Sequence, residues 1–461
     1  MLQNLISYLP FIKGCLGGKR KKCLMWSIIL DLKIKNRLQK QLFESDSPEA
    51  ERKCMVSKIL IVGANFENKG AQSMLFITVD ELKKRIPGCE VFFAGCEVFD
   101  ENKYAFHEVF YSEPAKNIAL GNNAMMLEAK CFLKDCVKFV VGKRNNLFRF
   151  NEIKNLIKEI NLIIDVSGFN IGKKWSVEIQ ESYLNNIRLA QKYNIPIIMM
   201  PQSFGSFDYP ENKKFLLKEI GELLRYPKKI FAREKEGYQM LTEQFGLKNV
   251  QLSTDLVLQN DGVDISNIYN NPLEKMDLPQ IEKNGVALIP NIQCFNHGDK
   301  DRNIQMYKEI ISYLLKGEKK VYLFRHSRED FPICKLIAEQ FQGNKNVILL
   351  DNEFSCLEYD EFVKKFDFVI CSRFHGVVHA YRNFIPSILL GWAIKYKELA
   401  TNVCQEKFAF DITEPNFNSD QVKNVIDQLL INKDKESVII KTRVIEIKKN
   451  NCFDQIAEYL Q

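Results

Sequence analysis

From residue 58 onward the chain alternates short apolar runs with amphipathic stretches, and that rhythm restricts its fold more than any other feature. Runs at 58–63, 90–94, 162–166, 195–200 and 229–232 are dominated by Ile, Val, Leu and Phe and read as buried strands. Between them, 70–86, 123–140, 177–193, 215–224 and 235–245 carry the apolar spacing of helices. Strand–helix–strand repetition calls for a parallel sheet covered by helices on both faces. A polar, Asn-rich stretch at 259–284 breaks the rhythm. It resumes with strands at 286–290, 320–324, 346–350, 368–371 and 385–390. The expected class is therefore α/β: two doubly wound Rossmann-like domains facing a cleft, a GT-B-like arrangement, followed by a C-terminal helical tail. The boundaries read as a basic N-terminal extension (1–57), a first domain (58–258), a linker (259–284), a second domain (285–430) and a helical segment (431–461).

Composition agrees with two cores. Of 461 residues 46% are apolar, and 33 are Phe, which excludes global disorder. No apolar run approaches the ~18 residues needed to cross a bilayer. Thirteen cysteines without a CxxC pair fit a reducing compartment and argue against structural zinc. Residues 1–54 hold 11 Lys and Arg against 5 Asp and Glu, whereas the remainder is nearly neutral. A nucleic-acid-binding protein would spread positive charge over its folded body. Basic residues mixed with apolar patches at 5–12 and 24–30 suit either an anionic membrane surface or a poorly ordered tail. The expected location is cytoplasmic, with the extension offering peripheral contact at the inner face of the membrane.

The most informative local run is Cys371-Ser-Arg-Phe-His-Gly-Val-Val-His379. It reads as a strand end, an N-cap at Ser372 and a helix that opens with Arg373 and His375. Free N–H groups, a guanidinium and an imidazole at one helix start form an anion site, suited to a phosphate or carboxylate. Other strand-end loops present polar groups. Gly63-Ala-Asn-Phe-Glu-Asn-Lys-Gly-Ala71 lacks the GxGxxG spacing but offers Asn68 and Gly70, with a plain strand-to-helix turn as the alternative. Ser167 and Gly168, with Asp165, follow one strand, and Gln202 and Ser203 follow another. Arg233 lies just past a strand, where it serves either a ligand or an ion pair with a nearby Glu. Asn291 and His326 occupy the equivalent positions in the second domain. His375 and His379 are four apart, a zinc-chelating spacing, but no Glu lies between them, so no metal is expected. Neither a GxSxG elbow nor a P-loop is present.

Together these pieces resemble the polysaccharide pyruvyl transferase family: Asn68-Lys-Gly-Ala71, Val166-Ser-Gly168, Pro201-Gln-Ser-Phe-Gly205, Arg233-Glu234, Pro290-Asn291, His326, Ser372-Arg-Phe-His375 and Gly391-Trp-Ala-Ile-Lys-Tyr396. The resemblance covers about residues 58–430, and its specific part is Ser-Arg-Phe-His with the following Gly-Trp…Lys-Tyr. It implies transfer of pyruvate from phosphoenolpyruvate to a hydroxyl pair on a surface glycan or its lipid-linked precursor, as in exopolysaccharide or capsule assembly. The first domain would then take the acceptor and the second the donor, with no cofactor. Arg373 and its helix would hold one anionic group, with Arg233 or His326 taking the other, and His375 would deliver a proton. Asp165 would serve as base toward the acceptor hydroxyl, and Lys395 would join the substrate-binding set. Two alternatives stay open: a GT-B glycosyltransferase using a nucleotide sugar, and a non-catalytic member of a glycan assembly complex.

Overall fold

The computed structural model describes residues 56–96, 99–122, 149–272 and 276–460, which build two wholly parallel sheets. The first sheet contains β1 (Lys58–Val62), β2 (Glu90–Gly95), β3 (His107–Phe110), β4 (Leu162–Asp165), β5 (Ile197–Gln202), β6 (Lys229–Ala232) and β7 (Val250–Leu252). Their spatial order is β3-β2-β1-β4-β5-β6-β7. The second contains β8 (Gly285–Ile289), β9 (Lys320–Leu323), β10 (Val347–Leu349), β11 (Val369–Cys371), β12 (Ser387–Gly391) and β13 (Ala409–Asp411), ordered β10-β9-β8-β11-β12-β13. Central strands such as Gly285–Ile289 and Ser387–Gly391 are buried throughout, as helices on both faces require. Two Rossmann-like domains result. In each, the order reverses between two central strands, where Val62 pairs with Asp165 and Ile289 with Cys371. Ligands of such sheets bind beyond the strand ends at these reversals.

The expected strands and helices are present among the described residues, and three short edge strands join them. Those strands, β3, β7 and β13, are three or four residues long, mix polar with apolar side chains and are less buried than the central ones. The tail differs from the expected boundary at 430, because one helix runs unbroken from Ser419 to Lys448 under an Asn418 capping box. Residues of the expected linker pack rather than dangle: the Tyr269 ring meets Phe76 edge-on at 5.9 Å. The expected helix at 123–140 and nearly all of the basic extension lie outside the described residues. Among the described residues no helix is long and apolar enough to cross a membrane.

Seven helices matter for the site: α1 (Lys69–Arg85), α2 (Lys235–Gln239), α3 (Leu256–Gln259), α4 (Cys356–Val363), α5 (Phe374–Arg382), α6 (Ile394–Asn402) and α7 (Ser419–Lys448). They close the two domains over a buried seam. Asn68 forms a backbone bridge with Ser327, and the Arg328 amide donates to the Glu67 carbonyl at 3.2 Å. The Gln72 side chain accepts from the Cys356 amide at 2.8 Å, and Glu398 accepts from the Lys235 amide at 2.7 Å. One apolar core runs through α1, α3, α5 and α7, including Met74, Val257, Val378 and Ile440. Each such aliphatic side chain contributes about 1.5–3 kcal/mol by leaving water. The chain end returns to the first domain, where Asp454 pairs with Arg85 at 2.5 Å.

Candidate active site

Helix α5 starts at the second sheet's reversal and points its N-terminus into the seam. Its cap residue is Arg373, with no side-chain cap, and not the expected Ser372. Ser372 is fully buried, so its hydroxyl turns inward to the Tyr307 hydroxyl at 2.6 Å. The Ser372 carbonyl is clamped by Asn291 Nδ2 at 2.9 Å and the Tyr396 hydroxyl at 2.8 Å. The first-turn N–H groups of α5 are thereby held in place without being capped, leaving the positive end of the helix open to an anion.

Both expected arginines reach the seam, each oriented by carboxylates. Arg373 grips Asp330 through Nε (2.7 Å) and Nη2 (2.5 Å), and its Nη2 also meets Glu329 at 2.5 Å. Asp330 is fully buried and also accepts from the Ile292 and Ser327 amides, so it is a fixed anchor. Glu329 is half exposed and therefore displaceable. Arg233 is buried, bonded through Nη1 to Asp255 (2.8 Å), through Nε to Glu234 (3.0 Å) and through Nη2 to Ser203 Oγ (2.6 Å). The ion pair with Glu234 weighed from the sequence is thus formed. The Arg233 guanidinium also lies 4.2 Å above the Phe374 ring, which brings the first domain's cation onto the second domain's helix.

His375 sits between these groups. Its Nε2 lies 3.4 Å from Asp255 Oδ2, and its ring presses on the start of α1. A Cβ at Gly70 would fall 2.1 Å from that ring, so only glycine admits it. Burial lowers the His375 pKa below the ordinary value, with Asp255 opposing, while Arg233 pushes the same way as burial. Burial favours the neutral acid at Asp255, but His375 and Arg233 together outweigh it and keep that carboxylate ionised. Lys395 has its ammonium among the rings of Phe169 (5.1 Å), Phe374 (5.4 Å), Trp392 (5.5 Å) and Tyr396 (5.8 Å). Burial, reinforced by Arg233, brings its pKa down to about 7.

The remaining expected residues divide into two sets. His326 is buried, and neither ring nitrogen has a partner among the described residues. Burial and the neighbouring cations hold it neutral. Among the described residues Ser167 Oγ has no partner at hydrogen-bonding geometry, and Gly168 gives its carbonyl to the Ser203 amide (2.7 Å) and to Arg233 (3.3 Å). By contrast, Asn68 caps α1, Asn291 caps the helix Ile292–His297, and Gln202 bonds the Tyr183 hydroxyl at 2.8 Å. These three side chains build the framework. Asp165 is a correction: it is fully buried, tied to the Ser167 amide (2.9 Å) and Asn186 (3.3 Å), and sealed away from any acceptor hydroxyl. His379 binds Asp360 at 2.8 Å and Ser73 at 2.9 Å, so the two imidazoles of α5 serve different partners.

Sequence reasoning missed Asp255, Asp330 and Glu329. Asp255 follows β7, a three-residue strand too short to recognise, and caps α3. Asp330 lies four residues past His326 in Arg325-His-Ser-Arg-Glu-Asp330, a signal that was readable in the chain.

Comparison with known proteins adds three findings. The family model described as polysaccharide pyruvyl transferase matches residues 68–393. None of the curated proteins matches the sequence. Among solved structures, UDP-GlcNAc 2-epimerase from Methanocaldococcus jannaschii is 11% identical at a TM-score of 0.46, covering 81% of this chain and 99% of its own. S. aureus MnaA, solved with UDP, is 13% identical at a TM-score of 0.49, covering 87% and 94%. The glycotransferase of kitacinnamycin is 13% identical at a TM-score of 0.47, covering 88% and 100%.

Proposed function

The chain belongs to the polysaccharide pyruvyl transferase family, and from that premise we propose that it moves pyruvate from phosphoenolpyruvate onto two hydroxyls of a surface glycan or its lipid-linked precursor, closing a ketal. The observation that carries this reading is the meeting of Arg233, Arg373, His375 and the N-terminus of α5 at one closed seam. Phosphoenolpyruvate has a phosphate and a carboxylate, and burying both requires separate cationic donors. Arg373 and the α5 N-terminus take one group, with the half-exposed Glu329 yielding its place. Arg233 takes the other, and His326 lends a ring nitrogen that has no partner among the described residues.

The chemistry follows from protonation states. The resting His375 is neutral, but an arriving polyanion favours its protonated form, so the donor charges the acid that attacks it. The first acceptor oxygen bonds to C2 of the enol while its proton passes to Lys395, whose pKa near 7 suits a base. His375 gives its proton to C3, making the methyl group. The second oxygen then bonds to C2 as the C2–O bond to phosphate breaks with its electron pair. Phosphate leaves with the Lys395 proton, and the second hydroxyl proton restores His375. A lipid-linked acceptor would bring the chain to a membrane surface, for which the basic extension offers a contact.

Thermal melting tests the donor. Phosphoenolpyruvate should stabilise the wild type, and Arg373→Ala should need far more of it. His375→Ala should keep its fold and lose most turnover. Stabilisation by UDP or GDP, with none from phosphoenolpyruvate, would instead mark a glycosyltransferase.

A further inference from the structure

Beside the buried Lys395 the seam carries a cluster of aromatic rings that the donor does not need. Loops from opposite domains build it: Phe169 and Trp175 follow β4, and Trp392 follows β12. All three are half-buried, and Phe169 meets Trp175 edge-to-face at 5.4 Å. The exposed Lys174 reaches across the seam, with its ammonium 4.7 Å from the Trp392 ring and 3.5 Å from the Trp392 carbonyl oxygen. The Lys395 ammonium lies close to the rings of both Phe169 and Trp392. An exposed lysine, aromatic rings and the proton-handling amine therefore meet at one place. Trp175 adds an independent sign, because its indole N–H is buried without a partner among the described residues. Burying such a group is unfavourable unless something accepts from it.

We propose that Phe169, Trp175 and Trp392 form the acceptor subsite, which takes a pyranose ring stacked flat against Trp392. The assignment rests on the pyruvyl-transfer reading. A pyranose offers a face of C–H bonds to the negative face of an indole and an edge of hydroxyls able to accept the Trp175 N–H. Phosphoenolpyruvate has no comparable apolar face, and its charged groups are matched deeper in the seam. Lys174 is the movable cover, since one cation–π contact and one long hydrogen bond hold this exposed side chain over the indole. A stacked ring would direct its hydroxyl pair inward toward Lys395 and His375.

The chain has only three tryptophans, at positions 26, 175 and 392, which makes the test direct. In a Trp26→Phe background the indole emission reports Trp175 and Trp392 alone. Methyl pyranosides of glucose, galactose, mannose and N-acetylglucosamine are titrated, with UDP and GDP in parallel. At least one pyranoside should change the emission saturably. Trp392→Leu should weaken that binding about tenfold, and Trp392→Tyr less, while thermal stabilisation by phosphoenolpyruvate stays within about twofold of wild type. No response to any pyranoside, saturation by a nucleotide alone, or equal loss of phosphoenolpyruvate binding in Trp392→Leu would each overturn the subsite. A saccharide response without stabilisation by phosphoenolpyruvate would leave the subsite standing and remove the pyruvyl-transfer reading.

Discussion

Replacing Asp255 by Asn removes one charge from the centre of the site while preserving its shape. Asp255 Oδ2 lies 3.4 Å from His375 Nε2 and 2.8 Å from Arg233, and Oδ1 accepts from the Val257 amide. Asn keeps an oxygen for that amide, so the cap of α3 survives. Coulomb's law at 3.4 Å with an effective dielectric of about 20 gives roughly 5 kcal/mol between the carboxylate and a protonated His375. Arg233, held by the same oxygen, offsets part of this, which leaves the shift of about 1–3 pKa units usual for one close opposite charge. The His375 pKa therefore falls further, and fewer molecules carry the proton needed at C3. The assay is kcat/KM for phosphoenolpyruvate as a function of pH, with melting curves to confirm folding. The limb that reports protonated His375 should move about 1–3 units toward acid, and acidifying the buffer should restore much of the activity. A uniform loss at every pH, with the limb unmoved, would refute the pairing of Asp255 with His375.

Two further outcomes follow from the same geometry. Glu329→Gln removes a half-exposed competitor for Arg373, worth about 0.2–1 kcal/mol, so the half-saturating phosphoenolpyruvate concentration should fall by roughly 1.5–5-fold; an increase in steady-state kinetics would contradict the displacement. His326 and His375 are held neutral by burial, so the unfolded chain binds protons below about pH 6.5 that the native chain refuses. Their stabilisation is full above that pH and is lost as pH falls, so melting temperature should drop on acidification; His326→Gln should flatten the slope, and an unchanged slope would show that His326 is not held neutral.

How much of this was legible in the chain depends on burial. Central strands such as Leu162–Asp165 are continuous apolar runs and declare themselves, whereas edge strands such as Val250–Leu252 are short and half polar. Arg233, Arg373, His375 and Lys395 stand at strand or helix ends, where local pattern foretells position. Their partners were harder to see. Asp255 meets His375 across 120 positions of sequence and Asp330 meets Arg373 across 43, and no local spacing encodes such a pairing. Asp165 misled for the opposite reason: its place at a strand end is right, but its carboxylate turns into the body of the domain to bond Asn186. Ser372 likewise has the residue type of a cap, and complete burial beside Tyr307 gave its hydroxyl a nearer partner.

The most direct test of the whole account incubates the purified chain with phosphoenolpyruvate and candidate lipid-linked saccharides, following released phosphate and product mass together. One phosphate should appear for each saccharide that gains a pyruvate ketal, and both signals should vanish together in His375→Ala. Phosphate release without a heavier saccharide, or an unaltered yield in that variant, would contradict it.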